Sequence, residues 1–152
     1  MVLDFWTLLM EGKMPNWTAN TLEITDRTEA IASFKEFMGG DNDGFCFKKL
    51  VPPPADMFEG DLGDKERAEC KRKGIANWRD WQIANWDTKW NACRVVSEEE
   101  TFLDGKWTTI TYQFDTAWCA PFKVIDALKE RFPDLEITGG YIDEGYEGCG
   151  SF

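Results

Sequence analysis

The chain has 152 residues, a formal net charge of -11 and no histidine. A chain of this length typically forms one domain that buries roughly 70% of the surface its unfolded form exposes. With 43% hydrophobic and 14% aromatic residues, the composition is that of a folded globular protein. Without histidine, the chain cannot form a Ser-His-Asp or Cys-His catalytic pair, a histidine-ligated metal site or an imidazole pH switch.

The cysteines are odd in number and widely spaced. They are Cys46, Cys70, Cys93, Cys119 and Cys149. Zinc knuckles and thioredoxin-type redox sites need close pairs, so neither is indicated. Scattered cysteines favour free thiols in a reducing compartment, and we expect a cytoplasmic protein. We expect no signal peptide and no membrane span, because the first residues lack a basic leading region and no apolar run reaches about 18 residues.

The first predicted elements are a strand and a helix. Apolar and polar residues alternate toward the end of 16–25, so that Leu22 and Ile24 face one side, which predicts a strand. Apolar residues then recur at helical spacing, with Asp26 as the expected N-cap and two glycines after the run. We therefore predict a helix over 27–38.

The stretch from about 40 to 91 loses this regularity and predicts a long insertion after the first helix. It begins with the turn-forming letters DNDG and continues with FCFKKL over 45–50, which we interpret as a short strand. Three consecutive prolines follow. The letters KERAECKRK over 65–73 have helical propensity, and residues 76–92 contain four of the eight tryptophans.

Regular patterns resume after the insertion. Alternation predicts strands over 92–98 and 107–115, joined through the turn at Asp104 and Gly105. A helix that starts at Pro121 and ends before a second proline follows, and then a strand over 135–142. The glycine-rich tail, EGYEGCGSF, is interpreted as a loop that packs its aromatic residues.

This order of elements predicts an α+β fold of the ferredoxin-like, split βαβ type. Four antiparallel strands would form one sheet with two helices on one face, and the insertion would lie between the first helix and the second strand. The uncovered face, to which Trp107, Thr109 and Thr111 are expected to point, is a surface through which the protein could dimerise. The sequence leaves the oligomeric state open.

Four tryptophans lie within thirteen residues: Trp78, Trp81, Trp86 and Trp90. With Lys89 they are a candidate platform for stacked bases or an anchor for a partner protein. In the alternative interpretation they fill the core under the insertion, each indole N–H bonding a carbonyl. Residues 65–94 carry eight basic and four acidic residues, whereas the rest of the chain is strongly acidic. That overall charge repels a polyanion at long range, so nucleic acid is the less favoured partner.

Two acidic groups are candidate partner-binding residues. They are Glu98, Glu99 and Glu100 in one group and Asp143, Glu144 and Glu147 in the other. Such a surface can imitate nucleic acid and occupy a basic groove of a protein. The alternative is that these charges only keep the protein soluble.

No catalytic or metal motif is complete. The letters DNDG resemble the start of a calcium loop without the ligands that should follow. Phosphate-binding glycine loops, GxSxG and GxGxxG are absent from the sequence. Cys93 or Cys119 beside a carboxylate would lack the usual activating base. We therefore predict a protein that is not an enzyme and has no cofactor and no metal.

Four blocks of sequence carry a family resemblance. They are MPNWTANTLEIT at 14–25, FCFKKLVPPP at 45–54, NWRDWQIANWDTKWNA at 77–92 and FDTAWCAPFKVIDALKERFPDLEI at 114–137. Together they resemble the YubB ferredoxin-like family, uncharacterised proteins of phages and conjugative plasmids. The resemblance implies one ferredoxin-like domain over 14–152, with residues 1–13 as an extension. It transfers no catalytic residues. Asp87 stands where relatives often have glycine, which argues against a required positive backbone dihedral there.

Carriage by phages and plasmids implies, by analogy, an accessory protein that binds a host or defence-system protein, such as an anti-CRISPR or anti-restriction inhibitor. The acidic strand edges or the tryptophan-rich insertion would make the contact. The alternative is a module that binds single-stranded nucleic acid through the tryptophan-rich basic segment.

Overall fold

The structure is a computed structural model that describes residues 16–39, 44–145 and 148–152. A five-stranded antiparallel sheet has the order β2-β3-β1-β4-β5. Its strands are β1 Trp17–Arg27, β2 Cys93–Phe102, β3 Trp107–Ala117, β4 Glu136–Asp143 and β5 Cys149–Ser151. The helices are α1 Thr28–Met38, α2 Phe47–Leu50, α3 Asp64–Lys73, α4 Trp78–Trp86 and α5 Phe122–Arg131. None of the described helices is long and apolar enough to cross a membrane. The predicted extension over 1–13 lies outside the described residues.

The predicted α+β arrangement is confirmed, but the number of strands is wrong. Leaving out the insertion, β1, α1, β2, β3, α5 and β4 follow the order of a ferredoxin-like domain. The tail, expected to be a loop, adds β5 beside β4. Glycines permit this approach, since a Cβ on Gly140 would lie 2.7 Å from the carbonyl oxygen of Gly150. The tail is then held by a hydrogen bond from the Phe152 backbone N–H to the Gly139 carbonyl, 3.0 Å long.

The central strand β1 pairs with β3 on one side and β4 on the other. Its side chains alternate between a buried face, which includes Leu22 and Ile24, and an exposed face, as the sequence predicts. Helices α1 and α5 pack on the buried face of the sheet through apolar residues such as Phe34 and Leu128, in one continuous core. The other face of the sheet is called the open face below.

The hairpin between β2 and β3 is confirmed, with a four-residue turn over 103–106. Leu103, Asp104 and Gly105 all have positive φ. β2 is longer than predicted and ends at Phe102. In the predicted helix α1, the N-cap is Arg27 and not Asp26, because β1 continues without a break into the helix.

The insertion does not contain the predicted strand over 45–50. Phe47–Leu50 form the short helix α2, and both Phe45 and Phe47 are buried. Their rings contact Phe114 on the buried face of β3, with centroids 4.9 Å and 6.0 Å away. The insertion therefore fills part of the layer that covers the sheet. The predicted helical segment at 65–73 is confirmed as α3.

Asp87 joins the insertion to the second helix of the ferredoxin-like fold. It follows α4 with a φ of 64°, so the expectation that no positive dihedral is needed there is wrong. Its Oδ2 accepts a hydrogen bond of 3.1 Å from the Lys123 backbone N–H in the first turn of α5. Its Oδ1 lies 3.2 Å from Lys123 Nζ. Asp tolerates the left-handed conformation better than most residues, and its carboxylate adds contacts that glycine lacks.

Substitutions at Asp87 should separate the contribution of its left-handed backbone from that of its carboxylate. Asp87→Ala should lower the free energy of unfolding by about 1–3 kcal/mol, because it loses the hydrogen bond to α5 and leaves a Cβ in the left-handed region. Asp87→Gly should be more stable than Asp87→Ala by roughly 1 kcal/mol. Asp87→Asn keeps an acceptor and should lie closest to the natural chain. Urea denaturation measures all three, and equal stability of the alanine and glycine variants would contradict this role of the backbone.

Candidate functional site

The structure does not bring the four tryptophans of the insertion onto one surface. Trp86 is 0% exposed, and its Nε1 donates a hydrogen bond of 3.0 Å to the Val51 carbonyl. Its ring packs edge-on against Phe47, with centroids 5.6 Å apart, and against Trp81 at the same distance. Both indoles therefore belong to the core, as the core-filling interpretation predicts. Trp78 is partly buried and its Nε1 donates to the Gly60 carbonyl, 3.0 Å away, which ties α4 to the loop before α3.

Trp90 lies elsewhere, in a row of three cations and three indoles at one end of the sheet. The row runs in the order Arg94, Trp17, Trp90, Lys89, Trp118 and Arg79. We call it the cation–indole row. Two of its members, Lys89 and Trp90, were predicted as site residues. The row is assembled from the start of β1, the start of β2, the segment after β3, the first turn of α4 and the loop between α4 and β2.

Each step in the row is a short contact. Arg94 Cζ lies 4.5 Å from the ring centroid of Trp17, and the Trp17 and Trp90 centroids are 6.1 Å apart. Lys89 Nζ lies 4.4 Å from the Trp90 ring and 5.2 Å from the Trp118 ring. A cation within about 6 Å of an indole is attracted by the negative face of the ring. These contacts restrict the conformations of the long cationic side chains.

The backbone is strained at two points of the row. Trp118 has a φ of 74° and Arg94 a φ of 51°, in the left-handed region that costs most residues roughly 1–2 kcal/mol. At Arg94 the strain coincides with a register shift between β2 and β3. Trp118 is nevertheless 45% exposed, and its backbone N–H bonds the Asn16 carbonyl at 2.8 Å. Strain that presents a large ring to solvent is typical of binding sites.

Arg94 and Arg79 each have a carboxylate beside them. Arg94 Nε donates to Asp115 Oδ2 at 2.6 Å, and Arg79 Nη1 lies 3.7 Å from Asp80 Oδ1. A shallow groove of about 370 Å³ begins at the Arg94–Asp115 pair and extends over the open face beside Thr21 and Gln113. The row and this groove therefore offer one continuous surface that is aromatic, partly cationic and polar.

The acidic candidates lie at opposite ends of the sheet. Glu98 and Glu100 are on the open face of β2, and Glu99 turns to the other face, where it pairs with Lys35 of α1. Asp143 and Glu144 are beside the start of β1, where Asp143 Oδ1 accepts from Thr18 Oγ1 at 2.7 Å. Glu144 Oε2 accepts from the Trp17 backbone N–H at 3.1 Å. Glu147 lies outside the described residues.

These contacts separate the two predicted acidic groups. Glu98 pairs with Thr111, which also pairs with Glu23 of β1, and Asp143 pairs with Thr18. Glu23 and Thr18 are five positions apart, which is about 17 Å along an antiparallel strand. One compact acidic surface is therefore not formed.

Two thiols that the sequence singles out are poorly suited to nucleophilic chemistry. Burial raises the pKa of Cys93, and Asp115 raises it further against the opposing effect of Arg94. Burial also raises the pKa of Cys119, together with Asp87 and Asp143. The thiolate is the nucleophile, so both side chains stay protonated near neutral pH. Among the described residues, no group of three or more cysteine or acidic side chains could hold a metal ion.

Sequence reasoning missed Trp17 and Trp118 as site residues and used Arg94 only in a charge count. Trp17 stands at the start of a predicted strand and Trp118 just after another. At such positions the alternation of apolar and polar residues does not indicate which way a side chain points. Their meeting depends on the pairing of β1 with β3, which places Trp17 opposite Ala117. The available signal was a tryptophan at the end of each of two strands.

Comparison with known proteins finds one domain-family model that matches the C-terminal part of the chain. Residues 85–152 match the model described as the ferredoxin-like domain in Api92-like protein. The matched part begins at the end of α4 and includes β2, β3, α5, β4 and β5. The match and the sheet order agree on a ferredoxin-like α+β domain. Neither the curated proteins nor the solved structures contain a match to the chain.

Stability measurements should distinguish the core tryptophan from the exposed one. Trp86→Ala should lower the free energy of unfolding by about 3–5 kcal/mol, because it empties a fully buried site and leaves the Val51 carbonyl without its donor. Trp118→Ala should change it by roughly 0.5 kcal/mol or less. Trp118→Gly should be more stable than Trp118→Ala by about 1 kcal/mol, since glycine alone adopts this φ freely. A large loss in Trp118→Ala would contradict a surface role.

Thiol labelling should follow burial. Near neutral pH, an alkylating reagent should modify the exposed Cys149 first, and Cys93 and Cys119 slowly, because their raised pKa values keep the reactive thiolate scarce. Labelling of the two slow sites should accelerate as the pH is raised into the alkaline range. Mass spectrometry locates the label, and Cys149→Ser serves as the control that removes the fast reaction. Rapid labelling of Cys93 or Cys119 at neutral pH would contradict this assignment and indicate a nucleophilic thiol.

Proposed function

We propose that the chain is a non-enzymatic binding protein that docks onto a host or defence-system protein through the cation–indole row. The carrying observation is the row itself, in which three indoles and three cations are linked by four cation–indole contacts and one indole–indole contact of 4.4–6.1 Å. Tryptophan and arginine are the residues that most often dominate the binding energy of protein interfaces. A preformed row also lowers the entropy lost when long side chains become fixed on binding.

The resemblance to the YubB ferredoxin-like family supports a finer proposal. In it, the chain is an accessory protein of a phage or another mobile element and acts in the cytoplasm of the host cell. Anti-CRISPR or anti-restriction inhibition fits a small protein with a net charge of -11, since such inhibitors work by occupying a partner's surface. Imitation of nucleic acid would then rest on Glu98 and Glu100, which share the open face with the groove beside the row.

A second candidate function is the binding of single-stranded nucleic acid on the same row. The presence of Lys89, Arg79 and Arg94 beside the indoles favours it, because bases stack on aromatic rings while cations meet phosphates. The net charge of -11 and the carboxylates beside Arg79 and Arg94 oppose it. The protein partner is therefore the better supported of the two.

A pull-down from host-cell lysate tests the leading proposal. The double variant Lys89→Ala/Trp118→Ala should retain at least tenfold less of the partner than the natural chain, since it removes a cation and an exposed ring from the centre of the row. A matched control, Leu103→Ala/Lys106→Ala, removes one apolar and one cationic side chain from the exposed β2–β3 turn and should retain the partner fully. Equal retention by both variants would refute the row as the contact.

Titration with labelled single-stranded RNA and DNA separates the second candidate. If the row binds nucleic acid, tryptophan fluorescence should be quenched and the affinity should fall steeply as salt is raised. The leading proposal predicts no quenching at physiological ionic strength. Salt-sensitive quenching that disappears in Lys89→Ala/Trp118→Ala would replace it with the second candidate.

A further inference from the structure

The outer edge of β2 is a second surface with the properties of a docking site. β2 is ten residues long and lies at the end of the sheet order, where it pairs with β3 alone in the described part of the chain. Along its other edge, no strand among the described residues bonds the backbone N–H and C=O groups. A long unpaired edge is a template for another strand, and proteins usually shorten, cover or charge it.

The side chains of this edge form a defined pattern on the open face. Register with β3 places Val96, Glu98, Glu100 and Phe102 there in sequence, opposite Gln113, Thr111, Thr109 and Trp107. Val96 is 55% exposed and Phe102 is 38% exposed. An exposed apolar residue therefore stands at each end of the edge, with two carboxylates between them.

Glu98 and Glu100 differ from Glu99, the residue between them, in their ion pairing. Glu99 points to the other face of the sheet and pairs with Lys35. Within the described residues, Glu98 and Glu100 have no salt bridge. A shallow groove of about 350 Å³ lies beside them on the open face, and its lining includes Glu23 of β1 as well as Glu98, Glu99 and Glu100. The groove has room for a basic side chain that reaches across β2.

Charge disfavours a second copy of the chain paired about Glu99 as the occupant. Antiparallel pairing of two β2 edges about Glu99 would place Glu99 opposite Glu99 and Glu98 opposite Glu100. Like charges directly opposite one another on paired strands are destabilising. The same carboxylates would attract a strand that carries lysine or arginine at alternate positions.

We propose that β2 binds an extended basic segment of a partner protein as a sixth strand of the sheet. Main-chain hydrogen bonds to the free edge would supply affinity, and side chains at alternate positions would supply specificity. In this complex, two lysine or arginine side chains lie over Glu98 and Glu100, and apolar side chains cover Val96 and Phe102. The proposal is independent of the cation–indole row, which uses other residues.

Hydrogen exchange of the full chain with a synthetic peptide provides the test. The probe is a nine-residue peptide with lysine at two alternate central positions, threonine between them and valine toward each end. At saturating peptide, amides of residues 96–102 that face the free edge should exchange at least tenfold more slowly, and raised salt should weaken this protection. A peptide with glutamate in place of lysine should give no protection. Absence of protection by the lysine peptide at millimolar concentration would overturn the proposal.

Two further controls separate strand addition from simple charge attraction. Two versions of the lysine peptide, each N-methylated at alternate residues along one of its two edges, test the main-chain hydrogen bonds. The version methylated on the edge that faces β2 should lose binding, and the other should keep it. Equal binding by both would overturn strand addition. The variant Glu98→Lys/Glu100→Lys should no longer bind the lysine peptide and should bind the glutamate peptide instead. Glu36→Lys/Glu130→Lys, which changes exposed helix residues by the same charge, should bind as the natural chain does, and indistinguishable behaviour of the two variants would also overturn the proposal.

Discussion

Burial of Trp86 is the interaction on which the architecture of the site depends. Its ring packs against Phe47 and Trp81, and its N–H reaches the Val51 carbonyl, so one residue joins the first part of the insertion to its last helix. An indole buries more apolar surface than any other side chain, and an unmade N–H bond inside the core would be costly. The end of α4 is therefore fixed against the sheet, and the loop that carries Lys89 and Trp90 starts from a rigid point.

Asp87 sets the direction in which the chain leaves α4. Its left-handed backbone ends α4, and its carboxylate holds the first turn of α5. The chain then turns back toward the sheet, where Thr88 donates a hydrogen bond of 2.8 Å to the Ala117 carbonyl, next to Trp118. These contacts place the insertion beside the ends of β1 and β3, and the cation–indole row is the result. The strain at Trp118 and Arg94 is sustained by this surrounding structure.

Much of the fold follows from periodicity alone. Leu22 and Ile24 in β1 and the apolar face of α1 obey the spacing rules, because local propensity and tertiary burial agree in these elements. The segment over 45–50 does not, since alternating phenylalanines satisfy a strand pattern and equally fill a core around a helical turn. The strand β5 was not predicted because a glycine-rich tail resembles a loop in sequence. Only the close approach of β5 to Gly140 in the structure shows why glycines are needed there.

For the site, sequence proximity suggested that four neighbouring tryptophans act together. Helical geometry instead sends Trp81 and Trp86 inward, and strand pairing brings Trp17 and Trp118 to Trp90 from distant parts of the chain.

The molecule thus presents different chemistry at the two ends of its open face, with indoles and cations at one end and carboxylates at the other. The central claim is that the first of these ends contacts the partner. Hydroxyl-radical footprinting with mass spectrometry tests it most directly, by comparing oxidation of each tryptophan in buffer and in host-cell lysate. Our account predicts that Trp17, Trp90 and Trp118 become protected in lysate, while Trp78 keeps its reactivity. Unchanged oxidation of those three residues in lysate would contradict it.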